Sequence, residues 1–233
     1  MIKYLNTILN ETFDTSLRLS LISGLFLKGF GLSLGLVSTI LFAQILGPTE
    51  FGRYAFALAL ITLLISFVRT GTSHLIMRDA VSSFLHNDYN NFHDLNTWCK
   101  KVIIACVLCA ILTVMISFFV SIYILKKDFD YISFWSIPLV LFVPLTVLYG
   151  SSIRAFGLAN LGTIPDNILR PFFLLLIFLT LNLHTELEFL GDTLMMMHVV
   201  SSALAFFIAR RLFKKKQSEL GQESQKVESI TSA

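Results

Sequence analysis

The chain has 233 residues, 55% hydrophobic and 14% charged, with 22 Phe and a formal net charge of +3. Soluble domains carry about 45–50% apolar and about 25% charged residues, so the composition excludes an ordinary cytosolic enzyme and a disordered chain. A surplus of positive charge this small and scattered also excludes a nucleic-acid partner. The partner the composition demands is the lipid bilayer.

Crossing about 30 Å of hydrocarbon takes about 20 apolar residues in a helix. Runs at 21–45, 52–69, 102–125, 132–150, 168–184 and 190–212 meet or approach that length. They predict an all-α, polytopic membrane protein built as a six-helix transmembrane lobe. Apolar runs this continuous exclude a transmembrane β-barrel, whose strands alternate. Residues 1–20 read as a cytoplasmic N-terminal segment, 21–213 as the lobe and 214–233 as a polar cytoplasmic tail. The first run is long and preceded by mixed, polar residues, which predicts an uncleaved anchor.

Lys and Arg set the orientation. Of the 18, only Arg53, Lys126 and Lys127 fall on outer loops when the N-terminus is placed inside; Lys28 lies within the first run, and the other 14 fall on inner segments. Both termini are therefore expected in the cytoplasm. Gly47-Pro48 is expected to close the first span with a tight outer turn. Pro138 and Pro144 should kink or unwind the fourth run, whereas Pro171 sits in the first turn of the fifth, where a missing N–H does little harm. Trp98, Tyr131 and Trp135 stand near span ends, as interfacial rings should.

Small residues recur at helical spacing. The first run carries Ser20, Gly24, Lys28, Gly31, Gly35 and Thr39, the second Ala55, Ala59, Thr62, Ser66 and Arg69, and the third Cys106, Ala110, Thr113, Ser117 and Ser121. Each set lies on one helical face, where small side chains let membrane helices approach. Lys28 and Arg69 ride on these faces and should point into the bundle. Lys28 lies about 7–8 Å to the inner side of its span's midpoint at 1.5 Å per residue. It either snorkels to the interface, lies before a helix that begins later, or lines a hydrated cavity and meets an anionic substrate.

Chemistry-bearing clusters are sparse. Cys106 and Cys109 form C-x-x-C, and with Cys99 they read as small buried hydrophobes. His198 could relay a proton, but hydrogen bonding to a neighbouring helix is the better expectation. His86, Asp88, His93 and Asp94 crowd a loop (about 70–101) without metal-ligand spacing. We find no catalytic constellation and no cofactor or metal motif, and expect a protein that is not an enzyme.

The segment Leu46-Gly47-Pro48-Thr49-Glu50-Phe51-Gly52-Arg53-Tyr54 resembles the L-G-P-x-E-F-G-x-Y signature of polysaccharide flippases in the multidrug/oligosaccharidyl-lipid/polysaccharide exporter superfamily. A softer match runs from Arg154 through Gly157 to Asn160, then through Ile168-Leu169-Arg170-Pro171. The resemblance covers about residues 17–213. It implies one lobe, the N-terminal half, of a twelve-helix, two-lobe exporter that moves polyprenyl-pyrophosphate-linked oligosaccharide, such as an O-antigen unit, across the cytoplasmic membrane. It places Lys28, and with less weight Arg69, as cavity cations that bind the substrate. Arg154 and Arg170 sit where positive-inside bias alone would put them. A chain ending after the sixth run is expected to be truncated or split, or else to assemble with a separately encoded C-terminal lobe. Three alternatives stay open: a multidrug or small-cation exporter lobe, a membrane enzyme of polysaccharide assembly, and an inert relic. The exporter of cations would prefer intramembrane carboxylates, and Asp192 is the only one within the span limits above.

Overall fold

The computed structural model describes residues 2–85, 89–119, 132–184 and 191–231. These form α1 (Ile2–Leu85), α2 (Tyr89–Phe119), α3 (Ile132–Trp135), α4 (Ile137–Ala155), α5 (Ala159–Ile164), a π-helical turn at Pro165–Leu169, α6 (Arg170–His184) and α7 (Gly191–Thr231), with no strand among them. The fold class is all-α, as the apolar runs predict. Five stretches are long and apolar enough to cross a membrane: Leu19–Asp79, Asp94–Ile116, Ile137–Ala155, Ala159–Asn182 and Gly191–Glu219.

Five stretches accommodate six runs because the first, 61 residues long, folds back on itself. Gly47 has φ 73 and ψ 173, a conformation outside the helical region that side chains with a Cβ rarely adopt. Pro48 then starts the second arm, where its missing N–H has no helical partner to lose. The rings of Phe42 and Tyr54 lie 6.3 Å apart. Twelve residues of straight helix would separate them by about 18 Å, so the two arms of α1 lie side by side.

Three boundaries differ from the sequence expectation. The stretch read as a loop over 70–101 is helical to Leu85 and again from Tyr89. Its polar Thr72 does not break the helix, because its hydroxyl bonds back to the Val68 carbonyl. His93 and Asp94 thus fall on α2, while His86 and Asp88 lie outside the described residues. The fourth run breaks at Ser136, between α3 and α4, so Pro138 sits harmlessly in the first turn of α4 and only Pro144 is interior. The fifth stretch begins at Ala159 instead of 168. Pro171 therefore follows a π-helical turn inside a longer helical stretch. In addition, residues 214–231 continue α7 as helix, with Lys214 and Lys215 exposed. Lys126, Lys127, Tyr131 and Ser121 lie outside the described residues.

α4 is the central helix, packed against α1, α2, α5 and α7, with Leu148 and Ile153 wholly buried. One core cluster gathers Phe42, Tyr54, Leu139, Phe178 and Met195 near the α1 bend. A second gathers Val68, Ile76, Ile103, Leu148 and Phe213 toward the other end. Leu25, Phe56, Leu63, Leu112 and Ile116 are exposed, as residues facing lipid should be, because lipid tails are as apolar as leucine. The third small-residue stripe serves helix contact in part: Ala110 is buried and Cys106 touches both clusters, while Thr113 is exposed; Cys109, off that stripe, is exposed and not buried as expected. Trp98 and Trp135 keep exposed rings.

Candidate functional site: a cavity with one charged end

A cavity of about 1110 Å³ opens between the two arms of α1, α4, the α5–α6 segment and α7. The two stripes on α1 build much of its wall: Lys28, Gly31, Gly35 and Thr39 on the first arm, Ala55, Ala59, Thr62 and Arg69 on the second. Lys28 and Arg69 thus face the cavity, as their positions on the stripes predict. Ser66 does not; its hydroxyl donates to its own helix at the Leu63 carbonyl. The helix is already formed well before Lys28, which removes the reading that it begins later.

The wall is polarised. Among the described residues one end holds Lys28, Arg69, Arg154 and Arg170 against a single carboxylate, Asp166. Arg69 Nη2 lies 2.8 Å from Asp166 Oδ2, and Arg170 Nη1 lies 3.4 Å from Oδ1. Oδ1 is buried, and its contact with Arg170 lacks hydrogen-bond alignment. Arg154 Nη2 donates to Ser151 Oγ at 2.7 Å and to Ser73 Oγ at 3.4 Å, and the two hydroxyls are themselves 2.8 Å apart. Arg154 Nε, also buried, has no hydrogen-bond partner among the described residues. Lys28 has neither an acid nor a hydrogen-bond partner among them.

Backbone geometry explains why these groups converge. Pro171 has no N–H to offer the carbonyl of Asn167, four residues back. The turn widens there: the Arg170 N–H reaches the Pro165 carbonyl, a π-type bond. The freed Asn167 carbonyl faces Gly31 on the first arm so closely that any Cβ at that position would overlap it. Asn160 Nδ2 donates to Ser23 Oγ at 2.6 Å and ties α5 to the same arm. Gly157, at φ 81, turns the chain from α4 toward α5.

Toward the α1 bend the wall turns aromatic, and Arg170 lies near enough to act on its polar groups. Phe42, Phe51, Tyr54 and His198 meet there, and the Tyr54 hydroxyl and His198 Nδ1 are hydrogen-bonded at 3.0 Å. His198 is thus held by a neighbouring helix arm, as expected. Nearby, Glu50 Oε2 accepts the Gly191 N–H at 2.9 Å, satisfying one of the orphan donors at the start of α7. Glu50 and Tyr54 both belong to the Leu46–Tyr54 motif, so that motif grips α7 at two points.

A sequence model of the family described as polysaccharide biosynthesis protein matches residues 20–230. The chain belongs to that family. No curated protein and no solved structure matches the chain. Membership in this family together with five membrane-length apolar stretches makes it a multi-pass membrane protein.

Sequence reasoning set aside Arg154 and Arg170 and overlooked Asp166. Starting the fifth span at 168 left Asp166 outside it, so Asp192 stood as the only intramembrane carboxylate. The structure corrects this: Asp166 lies within the apolar stretch Ala159–Asn182 and on the cavity wall. The available signal was the i,i+4 spacing of Asp166 and Arg170 between two prolines.

Proposed function

We propose that this chain is a transporter lobe, not an enzyme, which moves a polyprenyl-pyrophosphate-linked oligosaccharide across the cytoplasmic membrane during polysaccharide biosynthesis. The observation that carries the reading is the imbalance of four cations against one carboxylate at one end of the cavity. Charge left unbalanced among apolar helices is expensive, and an anionic headgroup is what would balance it. The volume exceeds the roughly 300–1000 Å³ of drug-sized pockets, which suits a headgroup carrying several sugars. In this reading both termini face the cytoplasm, so the charged end opens toward the leaflet where the lipid-linked sugar is made. A second lobe, on this or another chain, covers the open side. Export of cations is disfavoured, because the one cavity carboxylate is already held by two arginines.

Lys28 supplies the test. Its replacement by Gln removes a charge-assisted contact worth about 1.5–3 kcal/mol, a roughly 10–100-fold loss of substrate affinity. Lys28→Arg should retain transport and Lys28→Glu should lose more. Flipping of lipid-linked sugar by the two-lobe assembly in reconstituted vesicles, normalised to inserted protein, reads the effect. Wild-type rates for Lys28→Gln at subsaturating substrate would refute the headgroup assignment.

A further inference from the structure

Among the described residues Asp166 is the one acid on a wall that otherwise collects cations, and the backbone around it is tightly fixed. Pro165, fully buried, precedes it, and the carbonyl of Asn167, next in sequence, is wedged against Gly31. The carboxylate is 12% exposed, whereas its partners Arg69 and Arg170 are 48% and 28% exposed. The acid is thus the fixed member of the group. The arginines, on long stems, are the members that can turn toward a ligand.

This arrangement bears on which anions the cavity accepts. A ligand that approaches Arg69 or Arg170 meets a negative charge already in place, which cancels part of their pull. At these two arginines a headgroup with one charge competes with the carboxylate and gains little beyond what Lys28 alone offers. A headgroup with two phosphates competes with the carboxylate at the arginines and also engages Lys28, which has no acid partner among the described residues, or Arg154, whose contact with Asp166 is longer-range than an ion pair. We infer that Asp166 is a specificity-determining residue: it stands in for one negative charge, so that the cavity rejects singly charged lipid headgroups and admits diphosphate ones. The inference rests on the anionic-headgroup reading above and adds to it a means of excluding bulk phospholipid, which surrounds the protein in great excess. Without Asp166, every acidic lipid at that depth would compete for the arginines.

The experiment compares two affinities for the full chain in lipid nanodiscs. Polyprenyl pyrophosphate is one probe and phosphatidylglycerol the other, and the quantity read is the ratio of their Kd values. Asp166→Asn should lower that discrimination about tenfold, because one charge-assisted contact separates the two ligands, with most of the change in phosphatidylglycerol. Asp166→Glu, which restores the charge, should restore the wild-type ratio. Where Asp166→Asn alone does not fold, Arg69→Gln/Asp166→Asn removes both charges of the pair and should discriminate less than Arg69→Gln does. An unchanged ratio in the Asn variants overturns the inference and leaves the transport reading intact. Equal loss in Asn and Glu variants overturns it too, since shape and not charge would then matter. A wild-type chain that binds no polyprenyl pyrophosphate overturns both readings.

Discussion

The two ends of the cavity treat polar groups among apolar helices in opposite ways. At the aromatic end each group named above meets a counterpart: Tyr54 with His198, and Glu50 with the Gly191 N–H. At the charged end four cations stand against one carboxylate that pairs with only two of them, and buried nitrogen on Arg154 lacks a hydrogen bond among the described residues. A polar group fully satisfied within the protein contributes to holding helices together, and removing half of such a pair costs more than the pair is worth. A group left unsatisfied stores affinity for something that arrives later. The aromatic end is therefore a clamp, and in the proposed reading the charged end is a receptor.

The largest effect should come from the contact that shapes the receptor. Gly31→Val places side-chain carbon against the Asn167 carbonyl, backbone that has no freedom to retreat. It should cost about 3 kcal/mol or more and lower the thermal unfolding temperature in detergent. Gly35→Ala, with nothing within 4 Å of the added carbon, should leave it unchanged or slightly raised. Equal behaviour of the two variants would remove the distinction between a shaped and an unshaped wall.

A smaller effect separates two cations of the same end. Arg69→Gln deprives Asp166 of its shorter ion pair and should lower stability by about 1–2 kcal/mol, much of it recovered on adding Asp166→Asn. Lys28→Gln, which breaks no pair, should leave unfolding unaltered. A thermal scan of the four proteins reads both, and a loss in Lys28→Gln equal to that in Arg69→Gln would show that Lys28 is structural.

The smallest effect belongs to the clamp. Tyr54→Phe removes one hydroxyl from a buried pair and should cost about 1 kcal/mol without changing the affinity for polyprenyl pyrophosphate. A change in affinity with unchanged stability would mean that the aromatic end also contacts ligand.

The fold was largely legible because lipid simplifies the code. Runs of apolar residues mark helices, and Gly47-Pro48 marks the bend, since glycine permits the positive φ and proline restarts a helix. Lys28 and Arg69 were legible too, as charges riding on stripes of small residues. What escaped was the segment 159–171. Hydropathy rates Asp166 and Asn167 as polar and pushes the span's start past them, yet Pro171 and Pro165 reshape the turn so that both line the cavity. A charge that is paired across helices, as Asp166 is with Arg69, shows no partner in the local sequence. The same blindness misplaced the stretch 70–101, where Cys99 and Asn96 are buried by contacts from distant helices. Hydropathy reads each residue's cost in lipid and not the partner that offsets it.

The grip of the first bend on α7 has a consequence for synthesis. Glu50 and Gly191 are 141 residues apart, and Tyr54 and His198 are 144. At about 5–20 residues per second, the ribosome needs roughly 7–28 s to supply α7 after the bend has been made. During that interval the nascent hairpin sits in the membrane with Glu50 held by Arg53 on its own arm but not yet by the Gly191 N–H, and with the Tyr54 hydroxyl not yet bonded to His198. Chains arrested before Gly191 should therefore hold a loosely closed hairpin, and cross-linking between cysteines placed on the two arms should become efficient only once α7 has emerged.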